Sequence, residues 1–265
     1  MKKLLLSLCV IGVAAMMTSC LDSNNSHTEH GFVMIAVGTD GSPLVRYGRS
    51  STGRLITHPA IQTGIASIGG ETVLFDSDDF FFMTYVVDMA NGRTFLGENR
   101  GYADNVNIIG QIIPISREFL IPIPAPDGIP EERFAGFSNN VTAFADAWYW
   151  RDHWMVGFNY IGGVAPLPEV TFYKRGYEVR NNVAEIEIDV RISNIPQATP
   201  PQQPQLRGNN LALDMSDIRY YFQQATNRTV RVRFHYYITG QGQAQAAVPR
   251  YTQWTNWTLR GTGQQ

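Results

Sequence analysis

Three acids in the stretch AEIEIDVRIS, residues 184 to 193, come nearest in type and spacing to a catalytic set. In an extended strand, residues two apart share a face and lie about 6.6–7 Å apart along the chain. Glu185, Glu187 and Asp189 therefore occupy one face, with Ile186, Ile188, Val190 and Ile192 on the other. Neighbouring carboxyl groups at that spacing can reach the separation of about 5–5.5 Å used for glycoside hydrolysis with retention. A second stretch offers the same acids another use. In TVRVRFHYY, residues 229–237, Arg231, Arg233 and His235 alternate with Val230, Val232, Phe234 and Tyr236. An acidic strand face beside a basic one gains about 0.2–1 kcal/mol for each opposite-charge pair. Polar residues that alternate along a strand ordinarily cover a sheet surface. A flat, arginine-covered face is the expectation, and a catalytic row over an open cleft is the alternative.

Other chemistry is thinner. Trp148, Tyr149, Trp150 and Trp154 cluster within seven positions, and an exposed indole suits a flat apolar ligand such as a sugar ring. Trp148, Trp150 and Trp154 are the candidate ligand-binding residues, with core filling as the competing use of Trp148 and Trp150. FDSDDF supplies Asp76, Asp78 and Asp79, but the glycine and glutamate that complete an EF-hand loop are replaced by Phe81 and Val87. His27 and His30 flank Glu29 in a polar stretch that closes no coordination sphere. His58, His153 and His235 are scattered, and no G-x-S-x-G motif occurs. No catalytic residue, metal or cofactor is expected. The formal charge of -2, without a block of basic residues, provides no field for nucleic acid.

The elements that must position these residues are strands. With 44% hydrophobic and 17% charged residues, the chain has a globular composition. Period-two runs follow one another, with Asp40-Gly41 and Asn91-Gly92 as hairpin turns. Prolines at 114, 122, 124, 126 and 130 interrupt the pattern and predict an extended connector. Six further short strands follow, with one brief helix beginning near Ser216.

The N-terminus carries an address. Lys2 and Lys3 precede an apolar run from Leu4 to Met17, too short to span a bilayer but suited to a signal peptide. The following MTSC resembles a lipobox, which implies cleavage before Cys20 and acylation of its thiol. Residues 1–19 form the predicted signal peptide and 20–31 a flexible tether. Cys9 would leave with the signal, so no disulfide is expected in the mature chain.

NVNIIGQIIPI and AWYWRDHWMVGFNYIGG, together with the lipobox, resemble the NigD-like family of bacterial lipoproteins. The resemblance implies an all-β fold: a small OB-like β-barrel over residues 32–120, a Pro-rich linker over 121–135, and an antiparallel β-sandwich over 136–265. It implies no enzyme. EIEID is also similar to the E-I-D-I-E strand of laminarinase-type glucanases, whose nucleophile and acid/base would correspond to Glu185 and Asp189. Glu187 and Asp189 depart from that signature. The expected protein is a non-enzymatic cell-envelope lipoprotein, held to the membrane by its lipid and binding an envelope protein or glycan. Leu21 after the cysteine, rather than Asp, favours the outer membrane. The alternative is a surface glycoside hydrolase using Glu185, Glu187 and Asp189.

Overall fold

A computed structural model describes residues 26–38, 45–68, 71–98, 100–137, 150, 152–180, 183–198, 203–221, 228–239 and 247–259. The signal segment 1–19, Cys20, the Asp40-Gly41 turn and Trp148 lie outside them. The chain divides into two compact units after Ile113.

Alternation of apolar and polar residues builds the first unit. It holds β1 (Ser26–Val37), β2 (Arg46–Ser50), β3 (Leu55–Thr57), helix α1 (Pro59–Thr63), β4 (Ile65–Ile68), β5 (Glu71–Leu74), β6 (Phe80–Asp88), β7 (Arg93–Gly97) and β8 (Gly101–Ile115). The main sheet has the order β3-β2-β1-β6-β8-β7, and a parallel pairing of β3 with β8 closes five of these strands into a barrel. This closure, with a helix between the third and fourth barrel strands, is the OB-like arrangement. Val33, Ile35, Ile56, Phe81, Met83, Tyr85 and Val87 form its core. Helix α1 adds Ile61 to that core. His58 caps α1 by accepting the Ala60 N–H at 3.1 Å, Pro59 opens it, and Gly64 ends it at φ 78.

Two expectations are corrected here. The tether was expected to run to residue 31, but Ser26 to Gly31 are already part of β1 and pair with β6 from Ser26↔Asp88 onward. Polarity misleads at this point because the strand's side chains find polar partners. Asn91-Gly92 does not form a two-residue hairpin: Met89–Asn91 is a 3-10 turn whose cap, Asp88, accepts from Ala90 N–H, and β7 pairs with β8.

The second unit contains β9 (Arg117–Ile121), β10 (Gly136–Phe137), β11 (His153–Gly162), β12 (Glu169–Arg180), β13 (Val183–Ser193), β14 (Gln205–Asp214), helix α2 (Ser216–Tyr221), β15 (Arg228–Thr239), β16 (Ala247–Tyr251) and β17 (Thr255–Leu259). Its nine strands run β10-β11-β14-β9-β12-β13-β15-β16, with β17 also on β15. The two halves of this curled sheet face one another as a sandwich. Trp154 of β11 meets Phe234 of β15 at 6.2 Å and Trp257 of β17 at 5.5 Å between ring centroids. Ile186, Ile188, Val190 and Ile192 of β13 fill the same core.

The antiparallel pattern breaks at two places. β9 lies parallel to both β12 and β14, and β13 lies parallel to β15. Strand β9 therefore belongs to the second unit, and the division falls earlier than the expected linker at 121–135. That Pro-rich stretch is itself anchored: Phe134 is buried in the sandwich core and Glu132 accepts the Ile195 N–H at 3.1 Å. Proline removes ladder donors without preventing a neighbouring side chain from packing.

Gly48 gives the barrel a sharp test. A Cβ there would lie 2.5 Å from Val33 Cγ1 and 2.9 Å from Ile56 Cγ1. Gly48→Val is expected to cost about 1–3 kcal/mol through overpacking, read as a lower midpoint in urea. An unchanged midpoint would mean the barrel has slack at this position.

Candidate functional site

The acidic row of β13 lies beside the basic row of β15. Their parallel register sets Glu185 against Arg231, Glu187 against Arg233, and Asp189 against His235. The side chains complete what the register begins. Arg231 Nη1 donates to Glu185 Oε1 at 2.8 Å, and Arg233 Nε donates to Glu187 Oε1 at 2.8 Å. His235 Nδ1 contacts Asp189 Oδ1, and both residues are buried.

A bulge supplies one more cation. The β12–β13 register slips between Lys174 and Gly176, and Arg175 is the extra residue. A bulge re-aims its side chain. Arg175 Nη1 reaches Asp189 Oδ1 at 3.3 Å, and its Nε lies 3.6 Å from Glu187 Oε2. Burial lowers the affinity of the Arg175 guanidinium for its proton, but the charges of Asp189 and Glu187 outweigh that and raise its pKa. The row is thus a charged ladder rather than a pair of open carboxylates.

Aromatic rings hold the arginines in place. Arg233 lies 4.4 Å from the ring centroids of both Tyr251 and Trp254, and Arg231 lies 5.3 Å from that of Trp254. His235 packs against Tyr251 at 4.7 Å. Beside these groups is a groove of about 460 Å³, bounded by Trp254, Arg233, Glu185 and Glu187 on one side. Arg175, Gly176 and Glu178 complete its lining. The outer face is therefore not the flat one that was expected: Glu185 and Glu187 line a groove with Trp254, and of the three acids only Asp189 stands apart from it.

The other sequence candidates fall elsewhere. Trp150 and Trp154 are buried at 0% and 1% exposure, which corrects their candidacy for ligand binding: neither offers a ring face to solvent. Alternation placed Trp154 on the inner side of β11, where apolar neighbours from β15 and β17 await it. Trp148 lies outside the described residues. The accessible indole of the groove is Trp254, in the loop before β17. His153 begins β11, buried, with Nδ1 3.2 Å from Trp150 O. Among the described residues no group of three His, Cys, Asp or Glu side chains is placed to hold a metal ion.

A second polar cluster is built around Glu29, which the sequence reading assigned with His27 to the tether. Glu29, placed by β1 on the barrel, accepts from Tyr85 Oη at 2.7 Å, Thr52 Oγ1 at 2.9 Å and Arg54 Nε at 3.0 Å, and its Oε1 lies 2.9 Å from His27 Nε2. Arg54 continues to Asp104 at 2.6 Å, which also takes Arg93 at 2.7 Å. Burial pushes the Glu29 carboxyl up, but the hydrogen bonds from Tyr85, His27 and Thr52 and the charge of Arg54 prevail and hold it at about 2. Burial, together with the hydrogen bond to Glu29 and its charge, outweighs the opposing hydrogen bonds with Ser50 and Thr52 and pushes the Tyr85 hydroxyl up to about 12. The cluster is held by its own members and ties β1 to the β2–β3 turn, β6, β7 and β8, a structural rather than a reactive arrangement. The signal that could have revealed it is weak: an acid at the start of an apolar alternation, facing a distant Thr, Arg and Tyr.

The comparisons with known proteins agree with this fold. No protein-family model matches the chain, and no curated protein matches it. Solved structures do. An uncharacterised protein from Parabacteroides merdae is similar with a TM-score of 0.54 at 9% identity, over 88% of this chain and 99% of the other. A "Putative lipoprotein" from Bacteroides fragilis is similar with a TM-score of 0.53 at 8% identity, over 89% and 100%. A NigD-like immunity protein from Bacteroides caccae is also similar, with a TM-score of 0.42 at 12% identity over 84% and 91%. At these identities the likeness is one of fold.

Two outcomes follow from the geometry. Arg233→Ala removes the Glu187 pair and two ring contacts, and is expected to destabilise the sandwich by about 1–2 kcal/mol in urea unfolding, with Arg233→Lys intermediate because it lacks the planar fork. The Glu29 carboxyl lies below its unfolded value of 4.5 when folded, so its contribution is complete above pH 4.5 and is lost as pH falls toward 2. The urea midpoint should drop through that window more steeply in the wild type than in Glu29→Gln; parallel curves would contradict the assignment.

Proposed function

We propose that this protein is a non-enzymatic, lipid-anchored component of the cell envelope that serves as a binding module. The observation that carries the non-enzymatic reading is the pairing of all three acids of the row: Glu185 with Arg231, Glu187 with Arg233, and Asp189 with His235 and Arg175. A retaining glycosidase needs one carboxylate able to attack and another able to give a proton. Here one oxygen of each carboxylate is hydrogen-bonded to a basic group, and Asp189 is buried against His235. Glycoside hydrolysis by this strand has no support from the arrangement.

The anchoring half rests on the apolar run ending in MTSC and on the likeness of fold to a protein bearing a lipoprotein name. Several acyl chains at about 0.8 kcal/mol per buried methylene would hold Cys20 at the membrane essentially permanently. Leu21 favours the outer membrane as its destination. No helix among the described residues is long and apolar enough to cross a membrane.

Metabolic labelling with an alkyne palmitate separates the parts of this reading. The wild type should take up label and sediment with membranes, and Cys20→Ser should lose both properties; an unlabelled wild type would end the lipoprotein reading. Wild type and Glu185→Gln should both release no reducing sugar from laminarin. Hydrolysis by the wild type that disappears in Glu185→Gln would restore the enzyme.

A further inference from the structure

We propose that the groove beside Trp254 on the outer face of the sandwich binds a neutral saccharide. The proposal rests on the binding-module reading above and names its ligand class. Four features of the groove point this way.

Its size comes first: about 460 Å³ falls within the range of roughly 300–1,000 Å³ that small-molecule sites occupy. Its charge is close to balanced, with Arg175 and Arg233 facing Glu178, Glu185 and Glu187 along the lining. A strongly charged ligand would meet repulsion from one set or the other. A hydroxyl group both donates and accepts, and so suits a wall where guanidinium donors and carboxylate acceptors alternate. Charged side chains of this kind also bond hydroxyls more strongly than neutral ones do.

Third, Trp254 supplies an apolar ring at the same wall. The guanidiniums of Arg231 and Arg233 pack against it, so the ring is oriented before any ligand arrives. The ion pairs Arg233–Glu187 and Arg231–Glu185 in turn hold the arginines. Such preorganisation reduces the ordering cost of binding. Fourth, the groove has room at Gly176: a Cβ built there meets nothing within 4 Å, in a strand where the neighbouring bulge has turned Arg175 toward Glu187 and Asp189. The ladder of charges thus has a second use besides stability, as a fixed lattice of donors and acceptors.

The experiment uses the full-length chain in detergent micelles on an array of neutral and anionic oligosaccharides, followed by titration with each neutral oligosaccharide retained. Trp254→Ala removes the ring. Gly176→Phe fills the groove at an exposed position and should leave the thermal unfolding curve unchanged, which keeps the test independent of folding. The expected result is retention of at least one neutral oligosaccharide by the wild type, weakened about tenfold or more by each substitution, the scale of a lost ring contact. Retention of anionic oligosaccharides alone, retention of none, or equal binding by wild type and Gly176→Phe would overturn the proposal. The anchor and the lack of hydrolysis are read by palmitate labelling and reducing-sugar release, so they stand or fall separately. A neutral oligosaccharide that is bound and also cleaved would uphold the groove and sink the non-enzymatic reading.

Discussion

Charges on a sheet's outer face are costly to crowd and inexpensive to pair, and the parallel register of β13 on β15 puts every acid of one strand directly beside a base of the other. The rest of the second unit depends on that alignment. A slip of one residue would turn Ile186, Ile188 and Val190 outward and bring Glu185, Glu187 and Asp189 into the core. Ion pairing outside and aliphatic packing inside therefore specify the same register. Each surface pair contributes modestly; their joint effect is to make the wrong alignment expensive.

Around this ladder, aromatic side chains limit water's access to the guanidiniums without burying the charges outright. Arg233 between Tyr251 and Trp254 keeps its fork directed at Glu187. Arg175 arrives from the other side by virtue of a single inserted residue in β12. The result is a face rigid enough to present a fixed pattern of donors and acceptors. The barrel uses the same device on a smaller scale. Glu29 gathers hydroxyl and guanidinium donors from β6 and from the turn between β2 and β3, and their combined pull exceeds the penalty of burying a carboxylate.

Much of the fold was legible. Alternation marked most strands, including β13 and β15, because the two faces of a strand differ in environment at every step. The acid–base pairing was legible too, since matching periods imply matching faces. The start of β1 was hidden because His27, Glu29 and His30 are polar, and polarity is satisfied here by Tyr85, Thr84 and Arg54, residues more than twenty positions away. Strand β9 was misplaced because proline composition reports lost donors and not the sheet that a neighbouring segment joins. Trp154 was a candidate for the surface because composition does not say which face of a strand its ring takes.

The sequence by itself determined an all-β chain, the inner and outer faces of its main strands, and a segment with the form of an export signal. These are local properties, set by side-chain period and by length of apolar run. Only the tertiary structure decided that Arg175 bulges onto Asp189, that Trp254 rather than Trp150 or Trp154 borders the groove, and that Glu29 belongs to a barrel. Each of those depends on residues brought together from far along the chain, where contact energies, rather than local preference, choose the partner.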